Sequence, residues 1–297
     1  MTSSFDLSRW SAARLAGVES ALDRWVDAQA PAGLGEAMRY AVLDGGKRLR
    51  PLLVLAAAEA VGGDTQAALR AACAVELIHA YSLVHDDMPC MDNDVLRRGK
   101  PTVHVRFGQA QALLAGDALQ ALAFELLTPS PTEMPEGTQA ALCRLLARAA
   151  GHAGMAGGQA IDLASIGRAL DEDALGRMHR LKTGALLQGS VMMGAACGAP
   201  AAQARDALAR YGDAIGLAFQ VVDDILDVTA DSATLGKTAG KDAAQDKPTY
   251  VSLMGLERSR AYAASQFDEA VSALVASGLP DTRALHALAG MVIRRAH

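Results

Sequence analysis

Aromatic residues are scarce in this sequence: Trp, Tyr and Phe together make up 4% of the 297 residues. Hydrophobic residues nevertheless reach 51%, so the apolar share comes largely from Ala, Leu and Val. Such a composition favours helices over strands, which prefer aromatic and β-branched residues. The ten prolines are widely spaced, and the stretches between them carry apolar residues at helical spacing. We therefore expect an all-α protein.

Several classes of protein are disfavoured by what is missing. A net charge of -5 provides no basic surface for nucleic acid. No CxxC pair occurs, which argues against a zinc knuckle or a redox dithiol, and we expect reduced thiols at Cys73, Cys90, Cys143 and Cys197. The N-terminal residues lack the apolar core of a signal peptide, and no segment reaches the ~18 uninterrupted apolar residues of a membrane span. We expect a cytoplasmic protein without a membrane span.

Polar and proline-containing segments divide the chain. We predict a loop over residues 128–137 and turns near Pro200 and Pro280. Residues 229–249, TADSATLGKTAGKDAAQDKPT, are too polar and too rich in Gly for a packed helix. A long loop inside a compact protein is usually functional or disordered. We expect residues 1–297 to form one domain.

Four aspartates lie within nine residues in the segment HDDMPCMDND, and Arg97, Arg98 and Lys100 follow at once. Carboxylates this close repel one another unless a cation lies among them. The basic residues then need an anion. A divalent cation that is chelated by the aspartates and by a phosphate group satisfies both requirements. For one such cluster alone, the alternative is a helix cap or a solvated acidic turn.

The first cluster cannot lie on one straight helix. Asp86 and Asp92 are six residues apart and would fall on different helical faces. Pro89 disfavours a regular helix through Met88. We therefore expect the chain to turn there and to bring Asp92 back towards Asp86.

A second acidic cluster follows an apolar run in FQVVDDILDV. Asp227 lies four residues after Asp223 and three after Asp224, so it shares a helical face with each of them. Adjacent Asp223 and Asp224 diverge by about 100°, and we expect two of the three to bind a metal while the third assists. Oxygen ligands without His or Cys favour Mg²⁺.

Basic residues are available to hold the phosphate groups. DGGKRLRP places Lys47, Arg48 and Arg50 behind two glycines that permit close backbone approach. Lys47 and Arg50 are three apart on a predicted helical turn and are spaced to bind one anion, although a surface helix start would look the same. Further positive charge comes from Lys182, Lys237, Lys241 and Lys247.

His79 lies two helical turns before Asp86 and on the same face, within reach of an anion near the metal site. The alternative for His79, and equally for His85, is an ordinary core histidine. No Ser/His/Asp or Cys/His set is visible, so covalent catalysis has little support.

Segments spread from about residue 45 to residue 255 together resemble the trans-isoprenyl diphosphate synthases, and most closely the bacterial farnesyl diphosphate synthases. They are GGKRLRP, ELIHAYSLVHDDMPCMDNDVLRRGKPTVH, LAGDAL, GGQAIDL, LKTGALL, FQVVDDILDV and LGKTAGKDAAQDKPTYVSLMG. The resemblance implies an orthogonal helical bundle around a deep central cavity, a homodimer and three Mg²⁺ ions. It also implies a prenyltransferase of isoprenoid biosynthesis, which condenses isopentenyl diphosphate with dimethylallyl or geranyl diphosphate to farnesyl diphosphate by ionisation, condensation and elimination.

The family's functional residues transfer onto matching positions. The resemblance implies metal ligands at Asp86, Asp87, Asp92, Asp223, Asp224 and Asp227. It implies contacts to the diphosphate of isopentenyl diphosphate from Lys47, Arg50, His79 and Arg98, and contacts to the allylic diphosphate from Arg97, Lys182, Lys237 and Lys247. Polar groups near the reacting carbons are implied at Thr183 and Gln220, which join Lys182, Asp86 and Asp223 as candidate catalytic residues. The basic end, IRRAH, resembles a C-terminus proposed to close over the site.

Product length depends on the residues before Asp86. Tyr81 lies five residues earlier, about 7.5 Å along a helix, at a depth that blocks a growing chain. In the family, a large residue here, with a neighbour such as Ser82 and the two-residue insertion, goes with a C15 product. If Tyr81 is instead a core aromatic, geranylgeranyl diphosphate (C20) becomes the expected product. Small residues at Ala115 and Gly116 would leave room for the longer chain.

One other motif and two other functions bear on this interpretation. The glycines of GHAGMAGGQAIDL match helix packing better than phosphate binding, because GxGxxG is absent, and Gln159 and Asp162 are expected to line the cavity without a catalytic role. Terpene cyclases are disfavoured, because their second metal motif is typically of an Asn/Ser/Glu type, whereas this chain has FQVVDDILDV, and because they lack the GGKRLRP segment. A noncatalytic subunit of this fold would be expected to have lost one aspartate cluster, and this chain has both.

Overall fold

The computed structural model describes residues 5–43, 45–168, 170–229 and 248–294. The expected all-α class is confirmed. The helices are α1 (Leu7–Trp25), α2 (Leu34–Val42), α3 (Leu49–Ala60), α4 (Thr65–Asp86), α5 (Val103–Phe107), α6 (Gln109–Leu127), α7 (Glu136–Ala150), α8 (Met155–Ala164), α9 (Glu172–His179), α10 (Ala185–Ala196), α11 (Ala202–Thr229), α12 (Tyr250–Met254), α13 (Leu256–Ala276) and α14 (Arg283–Ile293). A 3₁₀ turn spans Pro31–Gly33, and a π-helical segment spans Arg180–Gly184 between α9 and α10.

Aspartate side chains fix the start of several helices. The side chains of Asp6, Asp64 and Asp171 accept hydrogen bonds from the backbone N–H groups of the first turns of α1, α4 and α9. Each bond satisfies a donor that has no partner inside its helix. The predicted breaks are confirmed, because residues 128–135, 197–201 and 277–282 separate consecutive helices.

Helix α4 is the central element of the bundle. It packs against α6 and α3, and also against α1, α2, α7 and α10. By length and composition alone, α4 and α6 are apolar enough to cross a membrane, but this is weak support for a span, since a core helix passes the same test. The most apolar stretch of α4 is 67% buried within the bundle, whereas that of α6 is 39% buried. Helix α4 is thus a core helix.

A second group of helices surrounds α11, which packs against α13, α10, α14 and the π-helical segment. Its buried face contributes Tyr211, Ile215 and Val222 to two apolar clusters. Helix α8 packs on the π-helical segment, on α9 and on α7. Helices α4 and α8 line one cavity and α8 and α11 line another, and Lys182 of the π-helical segment belongs to both linings.

A short hairpin follows α4. Strands β1 (Leu96–Arg97) and β2 (Lys100–Pro101) pair antiparallel, with Arg97 opposite Lys100. The connecting residues Arg98 and Gly99 both have positive φ, 53° and 76°. This combination is typical of the tight two-residue turn that matches the twist of the strands. The basic run predicted to hold an anion is therefore the tip of a hairpin.

Candidate active site

One cavity of about 420 Å³ collects much of the predicted site. Helices α3 and α4 contribute Arg50, His79, Tyr81, Ser82, Leu83, His85 and Asp86, and the turn after α4 contributes Met91. The opposite wall comes from α8 and the π-helical segment, with Met155, Ala156, Gln159, Ala160, Leu163, Lys182 and Thr183. Titratable and apolar side chains therefore line the same space.

The first acidic cluster folds as the sequence predicts. Helix α4 ends at Asp86, and the backbone N–H of Asp92 donates to the carbonyl of Asp86 at 2.9 Å. Asp86 is the member of the cluster that lines the cavity. Burial raises the pKa of Asp86 to about 6, and Asp92 and Asp87 also raise it, whereas Lys182 and Arg97 lower it. The turn at Pro89 thus brings the chain at Asp92 back to Asp86, which lines the cavity.

Asp87 and Arg97 bind each other in this structure. Both oxygens of the Asp87 carboxylate accept from Arg97 Nε at 2.9 Å, and Arg97 Nη2 donates to Oδ1 at 2.5 Å. The side chain of Asp87 is only 4% exposed. The pair lines a smaller cavity with Arg98, Lys100 and Tyr40, apart from the one at Asp86. The roles of Asp87 as a metal ligand and Arg97 as an anion contact stay predictions.

The second acidic cluster lies in the last two turns of α11. Asp223 is half-buried, and Asp224 and Asp227 are buried. Asp224 Oδ1 accepts from Gln220 Nε2 at 2.8 Å, and its Oδ2 accepts from the backbone N–H of Tyr250 at 2.8 Å. These bonds orient Gln220, whose Oε1 accepts from Thr183 Oγ1 at 2.9 Å. The cluster thereby positions two of the predicted catalytic side chains.

The loop before α3 divides its basic residues between the core and the cavity. Arg48 has a φ of 46° and turns inward, where it contacts Glu76 at 2.6 Å and Glu19 at 2.7 Å. Lys47 is exposed, and α3 begins only at Leu49. The prediction that Lys47 and Arg50 share a helical turn is therefore wrong, because the left-handed backbone of Arg48 separates them. Arg50 alone reaches the cavity, where its buried Nε has no hydrogen-bond partner.

The hairpin tip is tied to this loop. Arg98 Nη1 donates to the carbonyl of Gly45 at 2.7 Å, and its guanidinium lies against Gly46. A methyl group on Gly46 would lie about 3 Å from the guanidinium, so this glycine permits the close approach. The predicted cations Lys47 and Arg98 thus belong to neighbouring loops.

Two histidines near the site are held neutral. His79 lines the cavity, and burial together with Arg50, Arg98 and Arg97 lowers its pKa well below the ordinary value. His179 is 6% exposed, stacks on Tyr250, and burial lowers its pKa to about 4. His79 is therefore placed to contact a ligand through hydrogen bonds, as its position two turns before Asp86 predicts.

Lys182 lies where α8 meets the π-helical segment. Its Nζ donates to Asp162 Oδ2 at 2.5 Å. A methyl group on Gly158 would overlap the backbone of Lys182, so this glycine serves close packing, as the sequence predicts. Lys182 also lines a small cavity of about 60 Å³ with Asp162, His179, Gln220, Asp224, Pro248 and Thr249. This residue therefore connects the two acidic clusters.

Tyr81 lines the cavity, and its role in limiting the length of the product stays a prediction. The ring of His85 stands edge-on to Tyr81, with 5.7 Å between the ring centroids. His85 also packs onto α6, where a methyl group on Gly116 would overlap its ring. The space expected beside Gly116 is therefore already filled by His85, and Ala115 is fully buried in the core. Whether Ala115 and Gly116 leave room for a longer product stays a prediction.

The residues at Asp86 fit a hard divalent cation, on the chemistry of the donors. In the described parts of the chain, no three His, Cys, Asp or Glu side chains are arranged to hold an ion by themselves. Mg²⁺ usually takes one or two carboxylates and completes its shell with water and substrate phosphate. The partly buried carboxylate of Asp86, with the chain at Asp92 folded back beside it, matches that arrangement.

Part of the site was not evident from the sequence, and part lies outside the described residues. Five residues of α8 line the cavity: Met155, Ala156, Gln159, Ala160 and Leu163. Their helical spacing can be read from the sequence, but only the packing of α8 shows that this face lines the cavity. The sequence predicts that Asp162 lines the cavity and does not predict its hydrogen bond with Lys182. Predictions for residues 230–247, including Lys237, Lys241 and Lys247, and for the end of IRRAH lie outside the described residues.

Comparisons with known proteins agree with this geometry. The sequence model of the polyprenyl synthetase family matches residues 31–277. The chain belongs to the polyprenyl synthetase family. It is a prenyltransferase with the isoprenoid synthase fold. It is 51% identical to the farnesyl diphosphate synthase of Escherichia coli over 266 residues, which cover 88% of both chains.

Other members of the polyprenyl synthetase family differ in their named products. The chain is 47% identical to geranylgeranyl pyrophosphate synthase 11 of Arabidopsis thaliana over 99% of this chain and 83% of the relative. The apo crystal structure of an FPP/GFPP synthase from Zymomonas mobilis superimposes with a TM-score of 0.86 at 41% identity, covering 97% of this chain and 98% of that one. Similarity therefore identifies the family and leaves the product length to the site itself.

Proposed function

We propose that this protein condenses isopentenyl diphosphate with dimethylallyl diphosphate, and then with geranyl diphosphate, to form (2E,6E)-farnesyl diphosphate. The observation that supports the proposal most directly is the single cavity in which anion-binding and apolar side chains meet. Arg50, His79 and Lys182 supply donors for diphosphate oxygens. Tyr81 and the apolar residues of α8 face the hydrocarbon.

The reaction begins when the allylic carbon–oxygen bond breaks and diphosphate departs. Lys182 stabilises the charge that develops on the leaving group. The Thr183 hydroxyl donates a hydrogen bond to Gln220 Oε1. The lone pairs of the Thr183 oxygen therefore remain available to stabilise the allylic cation. The double bond of isopentenyl diphosphate attacks that cation, and loss of a proton to diphosphate restores neutrality at carbon. The apolar wall excludes water that would otherwise capture the cation.

We propose that Asp86, Asp92 and Asp223 hold the metal. Burial lowers the pKa of Arg50, whereas the nearby carboxylates of Glu76 and Asp223 raise it, and Arg50 lines the cavity together with Asp86. Bound Mg²⁺, expected as three ions, would neutralise the diphosphate oxygens. Asp224 is proposed to orient Gln220, and Asp227 completes the cluster.

The predicted diphosphate-binding residues are assigned by subsite. Lys47, Arg50, His79 and Arg98 are proposed to bind the diphosphate of isopentenyl diphosphate. Lys182, Arg97, Lys237 and Lys247 are proposed to bind the allylic diphosphate, and Arg97 would have to leave Asp87 to do so. The pairing of Arg98 with Gly45 supports a common subsite for the first group.

A C15 product is supported by the wall of the cavity. Tyr81 and Ser82 line it, and His85 fills the space over Gly116 behind them. The second candidate is geranylgeranyl diphosphate, which is favoured by the 47% identity to an enzyme named for that product.

We further propose a cytoplasmic homodimer. Of the nine exposed large hydrophobic residues in the described parts of the chain, five fall between residues 95 and 114: Val95, Leu96, Val105, Leu113 and Leu114. Exposed apolar residues of this kind mark interaction surfaces. An isologous dimer through the hairpin, α5 and α6 would cover them.

The test is incubation of the purified protein with Mg²⁺, isopentenyl diphosphate and dimethylallyl diphosphate, followed by identification of the dephosphorylated alcohols. Farnesol as the main alcohol supports the proposal, and an EDTA-treated sample should form none. Geranylgeraniol would keep the mechanism and overturn the C15 assignment. No product from C5, C10 or C15 starters would refute the synthase activity and favour a noncatalytic subunit.

A further inference from the structure

Asp162 is a buried carboxylate beside the candidate active site. It lies on α8, is 4% exposed, and its Oδ2 accepts a hydrogen bond from Lys182 Nζ at 2.5 Å. Lys182 is 27% exposed and lines the main cavity. The ammonium group therefore stands between a fixed internal anion and the space where a diphosphate is proposed to bind.

Helix α8 fixes Lys182 at two points. Gly158 and Asp162 are four residues apart, so they share one face of the helix. The missing side chain of Gly158 lets α8 touch the backbone of Lys182, and Asp162 holds its side chain. Lys182 itself lies in the π-helical segment Arg180–Gly184. Single π-helical turns of this kind occur frequently at functional sites.

The contact leaves the lysine able to bind a ligand. An ammonium group has three N–H donors, and Asp162 Oδ2 takes one of them. The other two N–H donors remain available to a ligand in the cavity. Without Asp162, the flexible side chain of Lys182 would have to be ordered when substrate binds.

We propose that Asp162 is a positioning residue that orients Lys182 Nζ towards the allylic diphosphate before that substrate binds. The inference rests on the proposed synthase function. It differs from a purely stabilising ion pair in one respect: Asp162 acts through Lys182, so its effect on turnover disappears when Lys182 is absent.

The test compares wild-type protein with Asp162→Asn, Lys182→Met and the double variant. Rates are measured with geranyl diphosphate as the varied substrate, and separately with isopentenyl diphosphate varied. Asp162→Asn should lower kcat about 100-fold, since a misplaced catalytic group costs about that factor. The KM for isopentenyl diphosphate should change less than about threefold, because its diphosphate is assigned to other cations. The double variant should have the kcat of Lys182→Met alone, since residues that act as a unit are not additive.

Asp281→Asn is the matched control. Asp281 contacts Arg283 at 2.7 Å, but that pair is on the surface, with exposed fractions of 51% and 63%. This variant should keep wild-type kcat. It shows whether loss of any close ion pair lowers the rate.

The possible failures are distinguishable. If wild-type protein forms no prenyl product, the proposed function is refuted and this inference with it. If wild-type protein is active and folded Asp162→Asn retains kcat, or if the two losses multiply in the double variant, the positioning role alone is wrong. Should Asp162→Asn not fold, Lys182→Met is compared with the double variant, in which neither charge remains. Equal kcat values then support the inference, and a further loss contradicts it.

Discussion

Arg48 offers a direct test of how the loop before α3 is held. Its side chain is 2% exposed, and that of its partner Glu76 is 5% exposed. Arg48 Nη1 contacts Glu76 at 2.6 Å, and Nη2 donates to the carbonyl of Val42 at 2.6 Å. Arg48→Met removes the guanidinium and leaves the Glu76 carboxylate buried without it. Breaking a buried pair in this way costs about 3–5 kcal/mol of unfolding free energy. Glu19 contributes less, because it is 39% exposed and can be hydrated.

The measurement is urea unfolding at pH 7, with the midpoint compared at an unchanged slope. The positive φ of 46° is as unfavourable for Met as for Arg, so backbone strain does not contribute to the difference. Arg48→Met/Glu76→Leu should recover most of the loss, since neither charge remains. Arg14→Met is the control: it removes an exposed pair with Glu59 and should cost less than about 1 kcal/mol. An Arg48→Met loss below that of the control would refute the reasoning.

Three further predictions concern the cavity and its surroundings. Tyr81→Ala should lengthen the product towards C20, measured by chromatography of the alcohols, and an unchanged C15 product would place the end of the cavity elsewhere. Gly116→Ala should displace the His85 ring and lower the unfolding free energy by about 1–3 kcal/mol, checked by urea unfolding, because the added methyl overlaps that ring. His179 has a folded pKa of about 4 against an ordinary value of 6.5, so the unfolded chain binds the proton first and stability falls as pH drops through this window. Between pH 6.5 and pH 4 the lost unfolding free energy should be on the order of 3 kcal/mol, measured from unfolding curves at the two pH values. His179→Phe should abolish this loss. The control His152→Gln, at an exposed position, should leave it unchanged.

The acidic clusters show how far local rules reach. Helical spacing and Pro89 were enough to predict that Asp92 folds back to Asp86, because both effects act within one turn of chain. The same rules could not separate Asp86 from Asp87. Asp86 lines the cavity, whereas Asp87 is taken up by Arg97, and that choice depends on how the hairpin packs beside α4.

For the basic residues before α3, by contrast, local spacing gave a wrong prediction. DGGKRLRP contains three cations within four residues, and sequence spacing placed Lys47 and Arg50 together. The structure turns Arg48 into the core and separates them, because Glu19 and Glu76 from two other helices provide buried partners. Such partners are distant in sequence, so no local pattern reports them.

The sequence by itself determined the helical class, the breaks between helices, the turn that closes the first acidic cluster and the family. Each of these depends on interactions within a few residues or on motifs that can be read directly. The tertiary structure decided which face of α8 lines the cavity, which aspartate pairs with Arg97, and that Lys182 is held by Asp162. Those outcomes depend on contacts between helices and on which side chains the packing buries together, and neither is encoded in local spacing.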